Sequence, residues 1–325
     1  MNISLKFYKL SLALLISFPF LSCDVDVNES YSPPPLSTIT EFVASNSDLS
    51  NLAAALSAAD GNLLSLLNGG NYTLLAPNNF AFELFLANNG FTSIDEVPTD
   101  ILENILLNHV ISGTVRSSDL TTAVSGYTST NATNTDGDSL SMYFSTNNGV
   151  VFNGVTRVLN PDIATSNGVV HVVDILIELP TVVTFATTNP GFETLVTALT
   201  RDDLSEDFVS ILSTTTEPAP FTVFAPTNEA FSSLFSELGM ESLNDIDTAT
   251  LESTLGTHVA TEANVRSEDL FNGMLITTIG DDLTISFGTG AQLVDLNSRT
   301  ANIIATDIQA YNGVIHVIDN VMLPQ

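Results

Sequence analysis

Four histidines and a single cysteine carry most of the chemical reach of this chain. His109 and His258 each follow apolar residues at helical spacing: Ile101, Leu102, Ile105 and Leu106 before the first, Leu251 and Leu255 before the second. His171 and His316 each sit inside a short β-rich run, NGVVHVVD from Asn167 and NGVIHVID from Asn312. An imidazole there could serve as a general base, ligate a metal, or hold backbone groups together. A metal would need further ligands at set spacing, and no such motif accompanies the four. Base catalysis would need a poised nucleophile, yet the chain has no Gly-x-Ser-x-Gly elbow and no phosphate loop. What remains is structural, with each ring satisfied by backbone or hydroxyl groups and fixing helix to strand. No catalytic, cofactor-binding or metal-binding residue is therefore expected, and the chain is read as a non-enzyme.

Cys23 has a different chemistry. Lys6 and Lys9 precede an apolar run, Leu10 to Leu21, that is too short to span a bilayer. That is the layout of a secretory signal. Its end, Phe20-Leu21-Ser22-Cys23, resembles a bacterial lipobox, which implies lipidation of Cys23 as the first residue of the mature chain. With that thiol committed, neither a disulfide nor a thiol nucleophile is available. Residues 24–36 hold Asp24, Asp26, Glu29 and Pro33-Pro34-Pro35, and read as an acidic, semi-rigid tether. The expected address is secreted and lipid-anchored, at the outer membrane or cell surface of a Gram-negative bacterium. The lipid is the expected membrane contact.

Composition narrows the partners. The 37 acids outnumber the 7 bases, giving a net charge of −30, and both lysines lie in the leader. No basic surface is left to neutralise phosphates, so nucleic acid is excluded as a partner. At 44% hydrophobic the chain can build ordinary cores, and 325 residues suit two domains.

The elements that position the histidines occur twice. Thr38 with Glu41 has capping-box spacing, as do Asp100 and Glu103. A helix is expected across Leu49, Leu52, Ala53 and Leu56, matched by Phe192, Leu195, Val196 and Leu199. TLLAPNNFAF from Thr73 is answered by TVFAPTNEAF from Thr222, each a strand ended by proline with Asn78 or Thr227 at a helix N-cap. The distance from Pro77 to His109 equals that from Pro226 to His258. VRSSDL from Val115 recurs as VRSEDL from Val265. Strands are expected at Ser139 to Phe144 and Leu283 to Phe287, and the last hairpin carries Asp162-Ile163 or Asp307-Ile308 into an Asn-Gly turn. Thr135-Asp136-Gly137-Asp138 lacks the alternating acids of a calcium loop and reads as a hairpin turn. The polar stretch from Ser125 to Asp138 is expected to be a long exposed loop, where specificity between repeats could lie. Apolar side chains on both faces make Asn167 to Pro180 a strand covered on both sides. Domains at 37–180 and 181–325 follow, joined without a long linker and with limited independent motion.

Taken together these motifs resemble the fasciclin-like (FAS1) domain family twice over. The resemblance implies an α+β fold, each domain a β-sandwich with a helical layer. It also implies cell adhesion through extracellular matrix, a cell-surface protein or a glycan. In some animal members a Pro-Asp-Ile stretch is assigned to integrin binding, which makes Asp162, Ile163, Asp307 and Ile308 the candidate contact edge. The second copy lacks the proline, and Asn108 and Thr257 stand where the family's tyrosine would precede histidine. Integrin itself is therefore not expected. The alternative is a surface lipoprotein binding a polysaccharide or small ligand, against which stands the lack of tryptophan. A third is an envelope protein that binds no distinct ligand.

Overall fold

The computed structural model describes residues 35–59, 62–288 and 290–325. The expected signal, Cys23 and all but the end of the expected tether lie outside these residues. The first half begins with α1 (Ile39–Ser45), α2 (Ser50–Ala58) and α3 (Asn62–Gly69), then β1 (Tyr72–Pro77). It continues with α4 (Asn79–Asn89), α5 (Thr99–Asn108), β2 (Val110–Ser112) and α6 (Ser117–Ala123). Five strands finish it: β3 (Ser125–Thr133), β4 (Ser139–Ser145), β5 (Val151–Phe152), β6 (Thr156–Thr165) and β7 (Gly168–Val173).

The second half repeats the order, except that a single 3-10 turn, Ser267–Asp269, stands in place of α6. It runs through α7 (Val182–Thr188), α8 (Glu193–Leu199), α9 (Phe208–Ser213), β8 (Phe221–Pro226), α10 (Asn228–Leu238) and α11 (Thr248–Thr257). Its remaining strands are β9 (Val259–Ala260), β10 (Leu275–Ile276), β11 (Leu283–Phe287), β12 (Ala291–Val294), β13 (Thr300–Ala310) and β14 (Gly313–Ile318).

Each half builds one seven-stranded sheet in the same order, β2-β1-β7-β6-β5-β4-β3 and β9-β8-β14-β13-β12-β11-β10. The histidine strand is central in both, parallel to the strand before the Pro-Asn or Pro-Thr cap and antiparallel to the bulged β6 or β13. Two apolar clusters lie against the first sheet. Val170 joins the helical side with Leu52, Phe82, Leu102 and Leu106, while Val173 joins Leu75, Met142, Phe144 and Phe152 inside the folded sheet. Covered on both faces, β7 is the layer between them. The α+β class, with a sheet and a helical layer in each half, is thus what the chain adopts.

Local signals explain most helix ends. Thr38 and Glu41 make a reciprocal capping box, and Asn78 and Thr227 accept the backbone N–H of Ala81 and Ala230. Phe82 and Phe231, the first large residues of the following helices, are buried. The Asp100–Glu103 box does not form. Helix α5 begins at Thr99, with Pro98 in the cap position and no side-chain cap, so Asp100 already lies within the first turn and cannot serve as the cap.

A further correction concerns Ser125 to Asp138. Instead of an exposed loop, residues 125–133 form the edge strand β3, and only the turn after it is loop-like. Asn104 and Asn131 hold it: Asn131 Nδ2 donates to the Val110 carbonyl at 2.8 Å and Asn104 Nδ2 to that of Thr133 at 2.8 Å. Its hairpin with β4 then docks on the second half. Tyr143 packs into the second half's core, and Tyr127 meets Phe185 edge-on at 5.6 Å between centroids. Gln309 N–H donates to Ser141 Oγ at 3.0 Å, and Asn134 Nδ2 donates to Gln309 Oε1 at 3.2 Å. Asp138 accepts from Asn264 at 3.0 Å and pairs with Arg266 at 3.4 Å. The two halves are joined by packed apolar surface and buried hydrogen bonds.

Candidate functional site

The histidines fall into two kinds of site. His109 and His258 end α5 and α11 and are buried. His109 Nδ1 lies 2.8 Å from the Ile105 carbonyl and Nε2 accepts the Ile177 N–H at 2.9 Å. His258 does the same with Thr254, at 2.7 Å, and Met322, at 3.1 Å. Each ring clips the last turn of a helix to the chain that leaves the central strand. Burial pushes both imidazoles down to about 4, against the opposing pull of the helix carbonyl. They are neutral rings with both nitrogens spent, which suits neither metal ligation nor proton transfer.

His171 and His316 belong with the aspartates of the candidate edge. Residues β6 and β13 are bulged on both sides of Asn160 and Ala305, and the bulge places Asp162 and Asp307 at a φ of 60°. The Asp162 carboxylate accepts the Ser117 N–H at 2.9 Å and also the Ser117 hydroxyl. Asp307 takes up Ser267 in the same way, its N–H bond being 2.8 Å. Asp162 N–H in turn donates to His171 Nδ1 at 3.1 Å, and His171 Nε2 lies 2.9 Å from the Val115 carbonyl. In the second copy His316 Nε2 reaches the Val265 carbonyl at 2.8 Å while its buried Nδ1 has no partner.

Burial pushes the Asp162 and Asp307 carboxyls up, but the serine hydroxyl and amide, helped by histidine, outweigh it and hold both below the usual carboxylate range. Burial pushes His316 down. Although serine, aspartate and histidine meet here, the serine hydroxyl donates to the carboxylate and never to the imidazole. The imidazole does not face the hydroxyl, so the arrangement is not a Ser-His-Asp relay, and its hydrogen bonds order the backbone of the serine turn and the bulge.

The structure therefore brings Asp162 to His171 and Asp307 to His316, with carboxylates turned onto serines. Ile163 is half-buried against the helical core and Ile308 is buried. What the bulge leaves at the surface is Leu159, Asn160 and Pro161. Sequence reasoning missed Ser117 and Ser267, although the repeated VRSSDL and VRSEDL phrases had marked them. Among the described residues no group of three or more histidine, cysteine, aspartate or glutamate side chains could hold a metal.

The Fasciclin domain family matches residues 47–180 and 190–324. The chain belongs to the fasciclin family. Among similar proteins, Protein sll1483 of Synechocystis sp. is 35% identical over 144 residues, covering 44% of this chain and 73% of its own length. The transforming growth factor-beta-induced protein ig-h3 of Sus scrofa is 28% identical over 266 residues, covering 78% of this chain. The chain spans 35% of that relative's length. The FAS1 domain pair of the insect cell adhesion molecule fasciclin I shares the fold, with a TM-score of 0.50 at 19% identity, covering 85% of this chain and 97% of that one. The fasciclin domains thus account for the repeat and both sheets.

Proposed function

We propose that this fasciclin protein is a non-enzymatic, surface-anchored adhesion protein whose tandem domains contact extracellular matrix or a neighbouring cell, through protein or glycan. What carries this reading is the buried joint between the two fasciclin domains. A pair held in fixed geometry on one anchor presents two weak contacts at once, so that the second forms at high effective concentration. Family membership supports the same reading, since the insect pair comes from a cell adhesion molecule. No helix among the described residues is long and apolar enough to cross a membrane. The proposed attachment is a lipid on Cys23, displayed at the outer surface of a Gram-negative cell. The second reading, a polysaccharide or small-ligand binder, is favoured by a groove in the first domain that sets the Phe80 ring beside asparagine amides.

Two experiments test the proposal. Residues 28–325, made without lipid, are expected to bind cells or matrix-coated surfaces saturably; saturable binding to one soluble sugar alone would favour the second reading. Indifference to every surface would favour a purely structural envelope role. A fatty-acid analogue is expected to label the wild type and not Cys23→Ala, and equal labelling would refute the anchor.

A further inference from the structure

A groove of about 380 Å³ opens on the first domain between the turn at Ser47–Leu49, the start of α4 and the bulge of β6. Its rim combines apolar side chains with polar ones. Phe80, near the start of α4, leaves 63% of its surface in solvent, and Leu159, extruded by the bulge, 55%. Phe271 and Phe287 of the second domain are exposed too, at 60% and 48%, so what sets Phe80 apart is its place in a groove beside fixed amides. Asn46 and Asn78 also line the groove, and each spends its Oδ1 on a backbone N–H, at 3.0 and 2.9 Å. Those bonds fix the side chains and leave their NH₂ groups to donate. Asn160 and the Asp48 carboxylate stand exposed beside them.

We propose that this groove binds a neutral hexose unit of a glycan. A pyranose has one face of C–H groups, which an exposed ring accepts, and vicinal hydroxyls, which pair with amides and a carboxylate. Neutral sugar is specified because Asp48 and the net charge of −30 repel anionic polymers. The second domain supplies an internal comparison on the same scaffold. There Glu229 stands for Phe80, Gly191 for Asp48, Thr227 for Asn78 and Ala305 for Asn160. Asn189, the counterpart of Asn46, gives its amide to the Tyr127 hydroxyl at 3.1 Å. The ring, the carboxylate at the Asp48 position and the free amides are gone from that copy, a glutamate stands in the ring's place, and the extruded aliphatic residue persists as Ile304. The groove's chemistry belongs to the first domain and not to the fold.

The inference names a partner chemistry for the adhesion reading and rests on it for biological meaning, but not for the binding itself. Its test is calorimetry on the full chain in detergent with cellohexaose, maltohexaose and mannohexaose, and with polygalacturonate as the anionic comparison. Saturable binding in the millimolar range to at least one neutral oligosaccharide is expected, weakened by about tenfold or more in Phe80→Glu, which installs the second domain's own residue. Asn160→Ala should weaken it as well. Glu229→Phe should leave it unchanged, because the other groups are missing there. Melting temperatures of all three variants should equal the parent's, since each residue is exposed. Silence with all neutral probes to about 20 mM, equal binding by Phe80→Glu, or preference for polygalacturonate would overturn the proposal. Oligosaccharide binding without any attachment to cells or matrix would sink the adhesion reading and leave the groove standing. Attachment without oligosaccharide binding would sink the groove alone.

Discussion

His109 and His258 tie stability to pH. In the unfolded chain they take a proton near 6.5, and in the folded one only near 4. Below 6.5 the unfolded state binds more protons, so stability is fully present above about pH 7 and is lost as pH falls through that window. A shift to about 4 corresponds to ~3 kcal/mol for each ring, an order-of-magnitude figure. Urea unfolding at pH 7.5, 5.5 and 4.5 should show the decline, and His109→Gln should be weaker at pH 7.5 yet fall less steeply. A flat profile between 7.5 and 4.5 would contradict the assignment. The sequence made these histidines conspicuous because each sits in a repeated motif. It could not show their partners, because the Ile177 and Met322 amides come from chain far downstream and meet the rings only after the sheet has formed. Ser117 and the Asp162 carboxylate likewise meet through a bulge that no periodicity announces.

At the scale of elements, the Asn-Gly turn does more than reverse the chain. Asn167 accepts the Ile39 N–H at 2.9 Å and donates to the Leu67 carbonyl at 2.5 Å, tying α1 and α3 to β7. Asn312 repeats this with Val182 and Leu212, at 2.9 and 2.8 Å. Gly168 has a φ of 148°, and a Cβ there would lie 1.9 Å from the Tyr72 carbonyl oxygen. Gly168→Ala should therefore cost about 3 kcal/mol or more, by strain and by displacement of β1; thermal unfolding within a degree of wild type would refute this. The turn itself was legible from its two residues, and so were the capped helices that follow Asn78 and Thr227. Strand β3 was not. Its Ser, Thr and Asn content reads as loop, and what makes it a strand is pairing with β4 together with the Asn104 and Asn131 amides. Tertiary context overrode local propensity there.

The whole molecule depends on the joint between its domains. Tyr143 belongs by sequence to the first domain and by packing to the core of the second. Tyr143→Ala should remove about 3 kcal/mol or more and split one cooperative melting transition into two. Gln309→Ala should leave the Asn134 amide without its acceptor and cost about 1–3 kcal/mol. Retention of a single unchanged transition in Tyr143→Ala would show that the domains do not depend on each other. The short junction had suggested close neighbours. It could not reveal an aromatic graft, because Tyr143 has a serine, Ser286, at the matching place in the second copy. That same asymmetry leaves the second domain without the aromatic that docks the first. The account's central claim is that an anchored, rigid pair gives a cell surface its grip. The direct measurement is attachment of Gram-negative cells expressing the full chain to matrix-coated and cell-coated surfaces, beside cells expressing Cys23→Ala. The account expects attachment above the parent strain's with the full chain and its loss with Cys23→Ala. Attachment that does not rise on expression, or that survives Cys23→Ala undiminished, would contradict it.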